Sequence, residues 1–192
     1  MAMVSGYNLL KTRTHGVHEV AYTLPRAGDK CWYHALAAAP LSAVTRTEVG
    51  ARVAGLSALI EGLRAEAPGR SVVLADFGQG ACVVLEHGFA GGAQSDAIFV
   101  LTGCRVRQAR DERPSRLPDG LQTYLSAGDR DSWIPLSAFA KAAIGLGLGG
   151  AALRMDVFPG RPYEASGPEL AMLDEEMADL AAGRAPGQEV GR

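Results

Sequence analysis

This sequence of 192 residues lacks the features that mark several classes of protein. No apolar run approaches the ~20 residues of a membrane-spanning helix. Residues 1–10 lack the basic start, apolar core and small-residue cleavage site of a signal peptide. The net charge is only −2, which gives no general electrostatic attraction to nucleic acid or to an anionic membrane. We therefore expect a cytoplasmic protein without nucleic-acid or membrane partners.

Cysteine and histidine are also scarce. The three cysteines are Cys31, Cys82 and Cys104. They are not at metal-ligand spacing and an odd number cannot pair fully, so we expect free thiols. The four histidines show no ligand spacing beyond a loose His15/His18 pair. The glycine-rich run at 145–150 lacks the lysine of a phosphate-binding loop and indicates a helix end. The sequence predicts neither a metal nor another cofactor.

The chain is long enough, and at 47% hydrophobic residues apolar enough, for one domain with a proper core. We assign that domain to residues 1–183 and a polar tail to 184–192. Strands are expected at 18–24, 71–77, 97–102, 121–127 and 151–158, and helices at 44–66, 79–90, 136–146 and 168–182. This alternation predicts a three-layer α/β fold with a mostly parallel sheet. In such sheets the functional residues gather at the C-terminal ends of the strands.

The turn between the expected strand 71–77 and helix 79–90 has the frame of a nucleophile elbow. Its sequence from Leu74 to Ala81 is L-A-D-F-G-Q-G-A. In the G-x-S-x-G elbow a serine stands at this turn, flanked by small residues because strand and helix pass close together. Here Gly78 stands at the place of the serine. Because glycine has no hydroxyl group, acyl-enzyme chemistry cannot begin at this residue.

Around this turn, F-G-Q-G-A-C-V-V-L-E resembles the F-S-Q-G-A element of the phospholipase/carboxylesterase (acyl-protein thioesterase-like) branch of the α/β-hydrolases. Other blocks agree in order and spacing: L-P-R-A and C-W-Y within 24–33, G-D-R-D-S-W-I-P at 128–135 and F-P-G-R-P-Y-E at 158–164. Together they cover roughly residues 18 to 182. The resemblance implies a three-layer α/β-hydrolase-like fold.

Carried over position by position, the resemblance implies that Gly78, Asp131 and Tyr163 stand where the family has its catalytic serine, acid and histidine. Members of the family also begin with a strand and an H-G-x-G-type loop that supplies half of the oxyanion hole, and residues 1–17 are too few for both. Losing a triad costs about a million-fold in rate in the best-studied case. The resemblance therefore implies an N-terminally shortened fold that is not an ordinary serine esterase.

The shortened N-terminus should expose a sheet edge near residues 17–24. Exposed edges are normally covered or paired. We therefore expect residues 1–14 to fold over that edge, or the chain to form a homodimer.

The strand ends should form one crevice from Asp76, Gly78, Gln79, Cys104, Asp131 and Tyr163, with residues 31–34 arriving from the loop after the first strand. The residues expected to bind substrate are Trp32, Tyr33, Gly78, Gln79 and Cys104. Asp76 is either a general base, with a pKa raised by burial, or a brace for turn amides. Tyr163 and Asp131 either act on a substrate or are relics. Cys104 is either a nucleophile or a buried apolar residue. The arginines within 105–116 either bind an anionic group or are solvated.

These residues leave three hypotheses for function. In the first, the former ester pocket binds a small organic molecule and promotes a cyclisation, isomerisation or elimination, with Asp131, Tyr163 and Asp76 as catalytic groups. In the second, the chain is an inactive pseudo-hydrolase that binds a ligand or a partner protein. In the third, the thiol of Cys104 or of Cys31 supports residual hydrolase or acyltransferase activity.

Overall fold

The computed structural model describes residues 2–4, 18–19, 31–106, 115–182 and 184. In chain order its elements are β1 (Ala2–Val4), β2 (His18–Glu19), α1 (Ala43–Glu66), β3 (Val72–Phe77), α2 (Gln79–Ala90), β4 (Ala97–Leu101), β5 (Gln122–Gly128), α3 (Leu136–Leu148), β6 (Ala152–Phe158) and α4 (Gly167–Ala181). The strands form one sheet in the order β2-β1-β3-β4-β5-β6, and every neighbouring pair is parallel. None of the described helices combines the length and apolarity that a membrane crossing requires.

Side chains of the central strands alternate between two apolar cores, because successive residues of a strand point to opposite faces. Val72 and Leu74 belong to the larger core, which also holds the buried faces of α1, α2 and α3. Val73 and Ala75 face the smaller core, which contains Leu173 and its neighbours on α4. Both faces of the sheet are thus covered by helices. This confirms the three-layer α/β arrangement predicted from the alternating elements.

From α1 onwards, the observed elements begin and end within two residues of the predicted bounds. The N-terminal part differs. Strand β1 lies inside the sheet, between β2 and β3, rather than over the edge near residues 17–24. A strand therefore does fit before residue 18, since three residues suffice to pair with the first half of β3. Residues 5–17 and 20–30 lie outside the described residues. They include most of the expected strand 18–24 and the beginning of the loop that follows it.

Candidate functional site

The turn between β3 and α2 is built on Gly78. Its backbone has φ +63° and ψ −123°, a conformation that glycine adopts readily and other residues adopt with strain. The Gly78 N–H donates to the carbonyl of Leu101 at the end of β4, and its carbonyl accepts from Cys82 inside α2. The turn therefore fixes the start of α2 against the C-terminal edge of the sheet. The first N–H groups of a helix have no partner within it, so they need a side chain, a ligand or another anionic group as acceptor.

Tyr163 lies over this turn. A Cβ atom placed on Gly78 would lie much closer than 3.0 Å to the Tyr163 hydroxyl oxygen and 3.0 Å from Cζ. The Tyr163 ring lies between Phe77, with ring centroids 4.8 Å apart, and Trp133, with ring centroids 6.1 Å apart. The phenol thus occupies the space that a side chain at residue 78 would take.

Asp76 lies beneath the same turn and is buried. One carboxylate oxygen accepts the backbone N–H of Phe77 at 2.7 Å. The carboxylate also abuts Gly80. A Cβ atom added there would lie 2.7 Å from Oδ1 of Asp76 and closer still to Cγ and Oδ2. The two glycines of the turn therefore make room for two different side chains, Gly78 for Tyr163 and Gly80 for Asp76.

Asp131 holds the loop after β5. Its Oδ1 atom accepts the backbone N–H groups of Trp133 at 2.7 Å and of Ile134 at 2.8 Å. Its Oδ2 atom is buried and has no hydrogen-bond partner among the described residues. Asp131 therefore positions two residues of the pocket wall and keeps one buried acceptor oxygen that those contacts do not use.

A pocket of 440 Å³ opens beside the turn. Its walls come from three loops, the end of β3 and the start of α2, and they consist of Cys31, Trp32, Leu36, Ala37, Phe77, Gln79, Gly80, Trp133, Ile134 and Tyr163. None of these described side chains carries a formal charge at neutral pH. The predicted residues Trp32, Gln79 and Tyr163 thus share one pocket, with Gly78 directly below Tyr163.

Gln79 ties the loop of residues 32–35 to the start of α2. Its Oε1 accepts the backbone N–H of Trp32 at 3.1 Å. Its Nε2 donates to the carbonyls of Tyr33 at 3.0 Å and Ala35 at 3.3 Å. One amide side chain therefore satisfies three backbone groups of an irregular loop and fixes Trp32 in the pocket wall.

Tyr33 and Cys104, both predicted to bind substrate, do not line this pocket. Tyr33 is fully buried in the larger core, so its ring faces away from the cavity. Cys104 is also fully buried, and its backbone N–H donates to the Cys82 sulfur at 3.3 Å. The contact with the Cys82 thiol is the largest cause of a raised pKa at Cys104, and burial is the next largest. A protonated, buried thiol does not act as a nucleophile.

Arg105, the first residue of the arginine run considered for anion binding, is engaged inside the protein. Arg105 is buried and forms a bidentate pair with Glu86, with Nε to Oε1 at 2.9 Å and Nη2 to Oε2 at 3.0 Å. Its guanidinium also stacks 3.9 Å from the centroid of the Phe89 ring. Arg105 is therefore committed to the core, whereas Arg116 is exposed and residues 107–114 lie outside the described residues.

The loop that carries Tyr163 is anchored by a buried network that no sequence pattern predicted as a whole. Arg161 lies 3.2 Å from Glu169 and donates to the Thr102 hydroxyl at 2.7 Å. Glu169 also accepts from Ser126 at 2.5 Å and from the backbone N–H of Ser166 at 2.7 Å. The signal available in the sequence was the capping box S-x-x-E at the start of α4, which predicts the Ser166 contact but not the ion pair.

None of the three cysteines forms a disulfide bond. Across the described ranges, no group of three or more His, Cys, Asp or Glu side chains is placed to hold a metal ion.

No protein-family model matches the chain, and no curated protein matches it significantly. Among solved structures it is similar to a phospholipase/carboxylesterase from Dyadobacter fermentans, with a TM-score of 0.73 and 21% identity over 92% of this chain and 88% of that one. The chain has an α/β-hydrolase fold. SOBER1 from Arabidopsis thaliana shares this fold with a TM-score of 0.61 and 18% identity, over 71% of this chain and 66% of that one. A Bacillus cereus carboxylesterase gives 0.61 and 15%, over 73% and 66%.

These similarities confirm the fold implied by the sequence blocks around residues 77–86, 128–135 and 158–164. At such identities they establish the fold alone, and the chemistry must be argued from the residues of this chain.

Proposed function

We propose that this chain is a non-hydrolytic α/β-hydrolase homologue. It binds a small organic molecule in the 440 Å³ pocket and promotes a cyclisation, isomerisation or elimination. The observation that carries the proposal is the position of the Tyr163 hydroxyl, which fills the space above Gly78 where a serine enzyme needs its nucleophile. With that space taken by a phenol, the group that stands at the place of the nucleophile is an acid and hydrogen-bond donor, not an acylatable alcohol.

The pocket wall favours a neutral and largely apolar ligand. Its volume falls within the roughly 300–1,000 Å³ usual for small-molecule sites. The lining combines the aromatic rings of Trp32, Phe77, Trp133 and Tyr163 with only a few polar groups, and it offers no cation to neutralise a carboxylate or phosphate. A flat ligand with one or two carbonyl groups matches this lining, because aromatic walls stack on planar faces.

The chemistry assigned to the site needs no co-reactant. Tyr163 donates a hydrogen bond to a substrate carbonyl, and the N–H groups at the start of α2, which have no partner within the helix, stabilise the negative charge that develops on that oxygen. A carboxylate takes a proton from carbon beside the carbonyl and returns it elsewhere on the same molecule, so atoms and charges balance in an isomerisation. We assign the carboxylate role to Asp131, which holds the wall residues Trp133 and Ile134, or to Asp76, which abuts Gly80; both carboxylates lie behind the pocket wall and do not line it.

Ligand binding can be tested directly because the chain contains two tryptophans and both line the pocket. Neutral aromatic carbonyl compounds are titrated while tryptophan fluorescence is recorded, alongside matched compounds that carry a carboxylate. The proposal expects saturable quenching by the neutral set. Saturable binding of only the charged set would contradict the assigned ligand class.

Catalysis is tested with three variants that nearly preserve volume, Asp131→Asn, Tyr163→Phe and Asp76→Asn, expressed in the host in place of the wild-type chain. We expect unchanged folding and a loss of at least ~100-fold in the product of the step that requires the protein, as is typical for an acid-base group. The matched control is Asp174→Asn, the same change at an exposed side chain on α4, which should leave the product unaltered. Normal product in all three pocket variants would overturn the enzymatic proposal.

The second hypothesis, an inactive ligand-binding protein, has one observation in its favour. Asp76 and Asp131 both accept backbone N–H groups, so each also serves as a structural brace. Under that hypothesis the fluorescence titration still shows binding, but the three variants leave the product unchanged. The third hypothesis loses support at Cys104, whose burial and raised pKa oppose thiolate formation, and it now depends on Cys31, which lines the pocket.

A further inference from the structure

Strand β6 forms an open edge of the sheet. Among the described residues it pairs with β5 on one side and with no strand on the other. Met155 is 56% exposed and Val157 44% exposed, on the face of β6 that looks towards α3. Ile144 on α3 is 61% exposed, and it lines an apolar groove of 420 Å³ together with these β6 residues. Long, apolar, unpaired edges are sites of strand addition unless they are covered.

The direction of the free backbone groups follows from the pairing with β5. The N–H of Ala152 donates to Leu121, and the carbonyl of Phe158 accepts from Asp129, so the even-numbered residues of β6 face β5. Because backbone groups alternate along a strand in a parallel pair, those of Leu153, Met155 and Val157 face outwards.

The charges on the other face of β6 are self-complementary. Arg154 and Asp156 lie on the α4 side of the sheet, where the Arg154 guanidinium is 3.8 Å from Asp156 and 3.5 Å from Glu176. If a second β6 runs antiparallel with Met155 opposite the partner subunit's Met155, then Arg154 stands opposite Asp156 of the partner subunit. Shifting the register by two residues in either direction places two arginines or two aspartates opposite each other, which is destabilising.

We propose that a second copy of this chain adds to β6, so that two sheets join as one through an antiparallel β6–β6 pair centred on Met155. In this register Met155 pairs with Met155 of the partner subunit, and Leu153 pairs with Val157 of the partner subunit. Each such pair exchanges two N–H···O=C hydrogen bonds. The two-fold axis is perpendicular to the sheet, so the exposed apolar residues of both α3 helices lie on the same face and flank the junction.

The proposal does not depend on the pocket chemistry. It places the interface of the expected homodimer at β6, at the opposite edge of the sheet from residues 17–24. The test uses the full chain and measures its mass and dimer dissociation constant by light scattering and sedimentation at several concentrations. The variants are Met155→Lys, which places two cations at the axis, and the charge reversals Arg154→Asp and Asp156→Arg. The matched control is Arg46→Asp, the same charge change at an exposed position on α1.

We expect a wild-type dimer whose dissociation constant rises by about tenfold or more in each single variant, because like charges then meet across the axis. The double variant Arg154→Asp/Asp156→Arg restores the opposite-charge pairs and should recover the wild-type value within a few-fold. Circular dichroism confirms folding of each variant. A wild-type monomer, as expected if the C-terminal tail covers β6, overturns the proposal. So does a dimer that Met155→Lys and the single charge reversals leave intact.

Discussion

The hydroxyl group of Tyr163 lies directly above Gly78, in space that any side chain at residue 78 would need. The pair joins two loops that are far apart in sequence, one at the end of β3 and one after β6. Phe77 and Trp133 hold the Tyr163 ring from its sides. Gly78 and Tyr163 are therefore sterically matched: the tyrosine fits in this place only because residue 78 has no side chain.

The steric match predicts energetic coupling between the two residues. Gly78→Ala should lower the free energy of unfolding by about 1–3 kcal/mol, from backbone strain at φ +63° and from the clash with the phenol. Tyr163→Phe removes the clashing oxygen, so the double variant should be more stable than the sum of the two single effects by about 0.5–1.5 kcal/mol. Urea unfolding of all four proteins measures this. Strict additivity would contradict the close approach.

A second prediction concerns ester hydrolysis. The wild-type chain should not hydrolyse short p-nitrophenyl esters above background and should not be labelled by a fluorophosphonate probe, because Gly78 has no hydroxyl. Gly78→Ser should stay inactive, since the Tyr163 phenol meets the new side chain and supplies no base near neutral pH. Mass spectrometry of the probe-treated proteins decides the matter. Stoichiometric labelling mapped to any serine of the wild-type chain would refute it.

The elements from α1 onwards were predictable because their apolar residues follow a clear period. Val72 to Ala75 form a continuous apolar run bounded by polar residues, as expected of a strand buried on both faces. Strand β1 was missed because three residues are too few to show any period. The pairing of β1 with β3 follows from the sheet and not from local sequence.

The site was predictable where it depends on the ends of strands and not where it depends on irregular loops. Sequence alone placed Gly78, Gln79 and Tyr163 at one edge of the sheet. It could not separate Trp32, which lines the pocket, from Tyr33, which is buried in the core, because the loop that carries both has no regular period. The contact between Cys104 and Cys82 likewise depends on how α2 packs beside β4.

A third prediction concerns the amide of Gln79. Gln79→Glu replaces the Nε2 donor with an oxygen that faces the carbonyls of Tyr33 and Ala35, so two hydrogen bonds become repulsive contacts. We expect a loss of about 1–3 kcal/mol in the free energy of unfolding and a red shift of tryptophan emission, as Trp32 leaves the pocket wall. The matched control is Gln122→Glu, whose Nε2 donates to the Gly120 carbonyl at 3.2 Å in an exposed contact. Its effect should stay within about 0.5 kcal/mol.

The opposite result for Gln79 has a definite meaning. If Gln79→Glu were as stable as the wild-type chain, with unchanged emission, the loop of residues 32–35 would be held by its apolar packing and not by the amide.

The last prediction follows from His87, which is fully buried within α2. Burial lowers the pKa of His87 from 6.5 to about 4 in the folded chain. As the pH falls below 6.5, the unfolded chain binds a proton that the folded chain does not accept until about pH 4. Stability is therefore lost as the pH falls through this window, because the unfolded state holds more protons. For pKa values of 6.5 and 4, the loss between pH 7 and pH 5 is about 2 kcal/mol.

His87→Leu removes this titration while keeping a buried apolar side chain of similar size, and His87→Gln removes it while keeping a polar one. Urea unfolding at pH 7 and pH 5 gives the change in stability for each protein. We expect the wild-type chain to lose about 2 kcal/mol more than either variant over this interval, because the other titrating groups are common to all three. Equal losses in the three proteins would mean that His87 accepts its proton without unfolding, and hence that water reaches its ring inside the folded structure.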